Sequence, residues 1–140
     1  MHKLFLDTNI ILDWVFDRKE FGSFAKKIIE YSEIEKVKLY TSAITISDFN
    51  YIAYQSIQDR KKVRFLIEKI AEVIQVVPTF HQQIISGIQS DFTDLEDAFQ
   101  YYTATHIKGI SAIITRNKKD FKHSKIKILT AEEYLQNYWL

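Results

Sequence analysis

Lys3-Leu4-Phe5-Leu6-Asp7-Thr8-Asn9 is the stretch of sequence that decides the fold. Its run of mainly apolar residues is typical of a buried strand, and the run stops at an acid. Because the residues that follow can cap a helix, a strand is expected to pass directly into a helix here. In an open α/β sheet, the carboxyl ends of the strands border the crevice where ligands bind. Asp7 is therefore either a helix cap or a ligand-binding residue, and this segment leaves both roles open.

Short apolar strands alternate with amphipathic helices along the rest of the chain. The predicted strands are Lys3–Leu6, Lys38–Thr41, Val73–Val77, Ala112–Thr115 and Ile126–Leu129. The predicted helices are Asn9–Trp14, Phe21–Glu35, Ile46–Ile57, Val63–Ala71, Phe80–Ser90, Leu95–Lys108 and Ala131–Tyr138. This alternation predicts an α/β fold in which a parallel sheet is covered by helices on both faces.

Length and composition limit the class of protein. The 140 residues, 46% of them hydrophobic, are expected to form a single domain over residues 1–140. The absence of cysteine excludes a disulfide framework and a thiolate metal site. Four acids among the first 20 residues exclude a secretory signal peptide. Since no apolar run approaches the roughly 18 residues of a membrane span, we expect a soluble, cytoplasmic protein.

The charges are unevenly distributed although the net charge is only +1. Residues 91–97 contain four acids and no base, whereas residues 116–127 contain six bases and one acid. Residues 60–64 form a second basic cluster. An acidic centre flanked by basic segments suits a metal site that receives a polyanion. The alternative is that the basic segments are solvated loops and helix faces.

Two further acids occupy the starts of helices that follow strands or loops. Asp48 lies near the start of the helix predicted from Ile46, and Asp97 lies in the first turn of a helix whose predicted N-cap is Asp94. Because Asp97 precedes two apolar residues, it is expected to face the sheet edge, while Glu96 points more to solvent. The alternative role of such acids is to complement the helix dipole.

Asn117 and Asp120 follow the strand that ends at Thr115. Asn117 offers a neutral ligand or a hydrogen-bond donor, or it is an ordinary turn residue. Three acids and an amide at strand ends and helix starts suggest a metal site, and oxygen ligands favour Mg²⁺ or Mn²⁺ over zinc. The four histidines show no ligand spacing and are expected at the surface or in the core: His2, His81, His106 and His123.

Four segments in the same order resemble the motifs of a known family: Phe5-Leu6-Asp7-Thr8-Asn9, Thr45-Ile46-Ser47-Asp48, Asp94-Leu95-Glu96-Asp97-Ala98 and Thr115-Arg116-Asn117-Lys118-Lys119-Asp120-Phe121. The chain resembles the PIN domain family and, more narrowly, the bacterial PIN proteins related to VapC toxins. The resemblance implies a Rossmann-like, three-layer α/β/α sandwich and a Mg²⁺- or Mn²⁺-dependent endoribonuclease that acts on RNA. It also implies a toxin of a toxin–antitoxin pair, a homodimer and inhibition by a small antitoxin.

The resemblance also assigns roles to residues. Asp7 and Asp97 match the metal-ligand acids of the family, Asp48 stands where glutamate is most frequent, and Asn117 stands where many members have aspartate. The residues that match or flank supporting positions are Thr8, Asn9, Asp94, Thr115 and Asp120. Asp48 loses one methylene of reach, about 1.5 Å, and Asn117 removes a charge. Both departures weaken the case for a second tightly held metal.

Basic and aromatic side chains near these motifs are candidates to bind RNA. The residues predicted to contact the RNA backbone are Arg116, Lys118, Lys119 and Lys122. Trp14, Phe16 and Tyr51 either stack on single-stranded bases or belong to the core. Tyr138 and Trp139 either form an interface or close the core.

Two rival functions remain open at this point. The first is a non-catalytic PIN-like module that binds RNA or protein, because the shortened acid and the amide weaken metal binding. The second is a phosphoryl-receiver or haloacid-dehalogenase-like domain, whose first strand also ends in an acid. Asn9 stands where the dehalogenase type needs a second acid, and the acid pair of a receiver is missing. Metal-dependent RNA cleavage would discriminate among these functions.

Overall fold

A computed structural model describes residues 1–138, and within them a five-stranded parallel sheet forms the centre of the molecule. The strands are β1 (His2–Leu6), β2 (Val37–Ser42), β3 (Ile74–Val77), β4 (Ala112–Ile114) and β5 (Lys127–Leu129). Their order is β3-β2-β1-β4-β5, and every neighbouring pair is parallel. The first strand therefore lies in the middle, and the predicted α/β fold with a parallel sheet is confirmed.

The helices connect the strands, and the predicted helices are present among the described residues with shifted ends. They are α1 (Thr8–Val15), α2 (Gly22–Glu33), α3 (Ala43–Ile57), α4 (Arg60–Val73), α5 (His81–Ile88), α6 (Leu95–Thr105) and α7 (Ala131–Tyr138). The predicted extension of α6 to Lys108 is wrong, because the chain turns at Ile107, whose N–H donates to Ala104 O. A 3₁₀ helix over Lys118–Phe121 was not predicted, since one turn has no apolar period. Trp139 lies outside the described residues.

The sheet separates two hydrophobic clusters. Leu4 and Leu6 of β1 face the cluster formed with α1, α2, α3, α4 and α7, whereas Phe5 faces a second cluster with Tyr101 of α6 and Phe121. The three β1 side chains are fully buried, and each contributes about 2 kcal/mol by leaving water. The result is the three-layer α/β/α sandwich expected from the resemblance. No helix within residues 1–138 has both the length and the apolar character needed to cross a membrane.

Polar residues take over where the central strands end. Thr41 Oγ1 donates to Leu6 O at 2.8 Å, which ties β2 to the last residue of β1. Asp7 N donates to Ile114 O at 3.0 Å, which ties the first residue after β1 to the end of β4. Thr115 then follows β4 and is completely buried. The carboxyl ends of three neighbouring strands therefore meet at one edge of the sheet.

Gly87 permits the close packing of α5 on α6, and this gives a test of the fold. A Cβ at this position would lie 2.7 Å from Phe99 Cδ1. We expect Gly87→Ala to lower the free energy of unfolding by about 1 kcal/mol, because the steric cost of overpacking exceeds the gain in helix propensity. Urea unfolding measures this change, with Ser86→Ala on the same helix as the control. A Gly87→Ala protein as stable as the wild type would contradict the packing.

Candidate functional site

Asp7 occupies the junction of β1 and α1 and is 7% exposed. Its Oδ1 accepts a hydrogen bond from Thr8 N at 2.8 Å, and its Oδ2 accepts one from Thr115 Oγ1 at 2.8 Å. The Thr115 hydroxyl also accepts from Asn117 N at 3.1 Å. A carboxylate has about four acceptor positions, so both oxygens of Asp7 retain lone pairs. Asp7 thus caps α1 and remains able to bind a cation, and the two roles are compatible.

Negative charge accumulates around Asp7. Burial raises the pKa of Asp7, hydrogen bonds from Thr115 and Thr8 oppose the rise, and the charges of Asp120 and Asp48 add to it. These acids come from different parts of the chain: Asp48 from α3 and Asp120 from the 3₁₀ helix. The nearby negative charges thus disfavour the ionised form of Asp7.

Asp97 belongs to the same group of acids. Its backbone N donates to Asp94 Oδ1 at 3.0 Å, so the predicted cap of α6 by Asp94 is confirmed. Burial raises the pKa of Asp97 to about 7, with further contributions from the charges of Asp7, Asp94 and Asp120. Carboxyl groups perturbed in this way concentrate at functional sites.

Glu96 takes part in this group, which sequence reasoning missed. Its side chain is exposed, as expected, yet it is also in hydrogen-bond contact with the side chain of Asp48. That contact, followed by burial and by the charges of Asp48, Asp94 and Asp97, raises the pKa of Glu96 to about 8. Two carboxyl groups in contact require a proton on one of them. The nearness of Glu96 to Asp97 in sequence was the only signal that could have indicated this role.

The donor set fits a divalent cation in charge and chemistry. Its members offer only oxygen atoms, as Mg²⁺ and Mn²⁺ prefer, and Asp48 Oδ2 is a buried oxygen without a hydrogen-bond donor among the described residues. As they stand, no three acidic or histidine side chains within residues 1–138 are grouped closely enough to hold an ion.

A cleft of about 290 Å³ opens beside the acids. One part of its wall is acidic, and another carries basic and imidazole groups. The lining residues of interest are Asp94, Asp97, Asp120, Lys119, Lys122 and His123. Lys119 and Lys122 are exposed. Two of the four predicted RNA-binding residues therefore lie at the same cleft as the acids.

The other two predicted RNA-binding residues form ion pairs within the protein. Lys118 Nζ lies 2.9 Å from Glu133 Oε2 on α7, in an exposed pair. Arg116 Nε lies 3.1 Å from Asp13 Oδ2, and its guanidinium stacks over the ring of Phe21, 4.3 Å from the centroid. Both contacts hold the loop that follows β4 against the neighbouring helices.

Asp13 was given no role from the sequence, although it is 1% exposed. Burial raises its pKa, while Arg116 and Arg18 oppose the rise. An isolated buried carboxylate would be costly, so the two arginines make its burial tolerable. The available signal was an acid placed within an otherwise apolar helix, α1.

A buried polar bridge lies behind the acids and joins α1, α3 and α6. Gln100 on α6 is 1% exposed; its Oε1 accepts from Ser42 Oγ, and its Nε2 donates to Thr45 Oγ1. Thr8 Oγ1 also donates to Thr45 Oγ1, at 3.3 Å. Ser42 caps α3 by accepting from Thr45 N at 3.1 Å. Sequence reasoning missed Gln100, because a lone glutamine carries no motif.

The aromatic candidates for base stacking take different positions. Phe16 stacks on buried Phe49, with ring centroids 6.1 Å apart, and Trp14 also packs partly buried against the core. Tyr51 is 67% exposed. Packing therefore accounts for the first two aromatics, while Tyr51 stays available to a ligand.

Fold and site together define an acidic, oxygen-donor centre at the carboxyl edge of a Rossmann-like parallel sheet, bordered by basic residues. The PIN domain family model matches residues 3–119, and the chain belongs to this family. The narrower resemblance is confirmed by Ribonuclease VapC1 of Aquifex aeolicus, which is 28% identical over 141 residues, covering 97% of this chain and 95% of that protein.

Solved structures show the same fold. VapBC-1 of nontypeable Haemophilus influenzae superposes with a TM-score of 0.68 at 20% identity, covering 93% of this chain and 98% of that chain. A toxin–antitoxin complex of Klebsiella pneumoniae superposes with a TM-score of 0.63 at 21% identity, covering 91% and 97%. The likeness extends over nearly the full length of both chains.

The crowded acids make stability depend on pH. Asp97 has a pKa of about 7 in the folded protein, against 3.8 as its ordinary value. Between these values the folded state binds more protons, so stability falls as the pH rises. We expect the melting temperature, measured in chelator, to fall as the pH rises from 5 to 8. The fall should be a few degrees larger in the wild type than in Asp97→Asn. An equal fall in melting temperature in both proteins would contradict a raised pKa of Asp97.

Proposed function

We propose that this chain is a Mg²⁺- or Mn²⁺-dependent endoribonuclease and the toxin of a toxin–antitoxin pair, with residues 1–140 forming one PIN domain that acts in the cytoplasm. The observation that carries the proposal is the group of carboxylates with raised pKa values beside Lys119 and Lys122. A cation site next to free basic side chains is suited to a phosphodiester substrate.

The proposed roles are those that the family resemblance implies. Asp7 and Asp97 hold the principal cation, Asp48 reaches it as a further ligand or through a bridging water, and Asn117 shapes its surroundings. Bound there, the cation would supply Lewis-acid activation of water and neutralise charge on the phosphate. The residues proposed to support the site are Thr8, Asn9, Asp94, Thr115 and Asp120. Within this group Thr8 and Thr115 fix the Asp7 carboxylate by the hydrogen bonds described above.

The basic residues divide the work of binding RNA. Lys119 and Lys122 are proposed to contact phosphates directly, because they line the cleft and are exposed. Arg116 and Lys118 would have to exchange an internal ion pair for a phosphate. We therefore expect Lys119 and Lys122 to contribute more to RNA binding than Arg116 and Lys118. Such contacts position the RNA backbone without selecting its sequence.

The comparisons support the biological part of the proposal. The chain is similar over almost its full length to a protein named as a ribonuclease and to chains from toxin–antitoxin complexes. We accordingly propose a small antitoxin as the cognate partner and a homodimer as the assembled toxin.

A catalytically weak RNA- or protein-binding module is the second candidate function. It is favoured by the contact of Asp48 with Glu96. Within residues 1–138, moreover, no three acidic side chains are grouped closely enough to hold an ion. In that case the fold would retain its basic cleft without effective metal binding.

Cleavage of RNA tests the enzyme. We expect the purified protein to cleave a single-stranded RNA in Mn²⁺ or Mg²⁺ and not in chelator. Asp7→Asn and Asp97→Asn should each slow cleavage at least about hundredfold, the scale of losing a group that stabilises transition-state charge. Asp59→Asn is the matched control, because Asp59 caps α4 outside this group of acids and asparagine can also cap a helix.

The rate of appearance of product fragments on a gel measures the effect. Cleavage that survives chelator or either substitution would contradict the metal-dependent mechanism. Binding of the RNA without cleavage, measured by fluorescence anisotropy, would favour the binding module.

Growth of an expressing host tests the toxin–antitoxin assignment. We expect induction of the chain alone to arrest growth, and co-expression of a short neighbouring open reading frame to restore it, because a bound antitoxin inhibits the enzyme. Asp7→Asn should not arrest growth. Light scattering after size exclusion measures the mass of the complex and of the free dimer. Arrest by Asp7→Asn equal to that of the wild type would separate toxicity from the proposed chemistry.

A further inference from the structure

The described part of the chain contains two buried glutamines that differ in their surroundings. Gln83 on α5 is 2% exposed, and its Oε1 accepts from Phe80 N at 2.5 Å at the start of its own helix. Gln100 on α6 is 1% exposed, and the two ends of its amide bond to the cap of α3, Ser42, and to Thr45 within α3. One glutamine completes a local cap, whereas the other joins two helices.

The bridge of Gln100 lies one helical turn from two site acids. Gln100 follows Asp97 by three residues on α6, and Thr45 precedes Asp48 by three residues on α3. Residues three apart lie on the same face of a helix. The hydrogen bonds of Gln100 to Ser42 and Thr45 therefore join the second turn of α6 to the cap and first turn of α3, one turn from Asp97 and from Asp48.

The bridge opposes the repulsion of the acids. Asp48 lies on α3, and Glu96 and Asp97 lie in the first turn of α6, so the bridge joins the two helices that carry these acids. Ionised carboxylates push the two helices apart, while the buried amide bonds hold them together. Asp48 is one methylene shorter than glutamate, so its reach to a shared ion tolerates less separation.

We propose that Gln100 is a positioning residue for the cation site: it fixes the distance between α3 and α6 at which Asp48 and Asp97 close on one divalent cation. This inference rests on the proposed metal dependence. Gln100 does not touch the cation itself, since its amide is bonded on both sides to Ser42 and Thr45. Its effect passes through the helix starts that carry the ligands.

Direct titration of the full-length protein with Mn²⁺, without RNA, tests the inference. Gln100→Met keeps the volume and removes both hydrogen bonds; Gln83→Met is the matched control, with equal burial and a lost cap. We expect both variants to melt at a lower temperature than the wild type. Only Gln100→Met should weaken Mn²⁺ binding, by about ten- to hundredfold, the range seen when partners of metal ligands are removed. Isothermal titration calorimetry measures the affinity.

A second pair of variants changes Thr45, the partner of Gln100. They keep the inference testable if Gln100→Met does not fold. Thr45→Val removes the hydroxyl that accepts from Gln100, whereas Thr45→Ser keeps it. We expect weaker Mn²⁺ binding in Thr45→Val and restored binding in Thr45→Ser. Unchanged affinity in folded Gln100→Met or in Thr45→Val would overturn the inference. A wild type that does not bind Mn²⁺ would overturn the proposed metal dependence as well, and that outcome is visible before any variant is made.

Discussion

Repulsion among carboxylates at one edge of a parallel sheet is the constraint on which the rest of the site depends. Asp7 comes from the end of β1, Asp97 from the start of α6, and Asp48 from α3, and burial together with the neighbouring charges raises the pKa values of Asp7, Asp97 and Glu96. The neighbouring hydrogen bonds offset this cost. Thr8 and Thr115 bind the two oxygens of Asp7, so its position is fixed although its charge is disfavoured. A cation would reverse the sign of the interaction.

The hydrophobic sheet makes such a costly arrangement possible. Folded domains of this size are stable by only about 5–15 kcal/mol, so repelling acids need a rigid support. The fully buried side chains of Leu4, Phe5 and Leu6 belong to both core clusters and carry Asp7 at their end. Sites that retain unfavourable charge commonly exchange stability for function. Here the electrostatic cost is confined to one edge of the sheet, where hydrogen bonds fix the polar residues at the ends of β1, β2 and β4.

Patterns of neighbouring residues predicted the strands and helices, but they did not predict contacts between segments that are distant in sequence. The run Leu4-Phe5-Leu6 followed by Asp7 was enough to predict a buried strand with an acid at its carboxyl end, because both features lie in consecutive residues. The extension of α6 to Lys108 failed, because a tertiary turn at Ile107 overrode helix propensity. Gln100 was missed since its partners, Ser42 and Thr45, lie more than 50 residues away in sequence.

Contacts between distant segments also explain why the number of basic residues in a segment exceeds the number of basic side chains that are free to bind a ligand. Arg116, Lys118, Lys119 and Lys122 are equivalent in a count of charges, yet Arg116 is bound to buried Asp13 and Lys118 to Glu133. A buried acid requires a counter-charge before any ligand is present, so the nearest arginine is committed to the fold. Bases without an internal ion pair remain for a polyanion, and within residues 1–138 Lys119 and Lys122, which line the cleft, form none. The first two bases of this run thus hold the loop after β4 in place, and the last two stay free for the proposed binding of RNA.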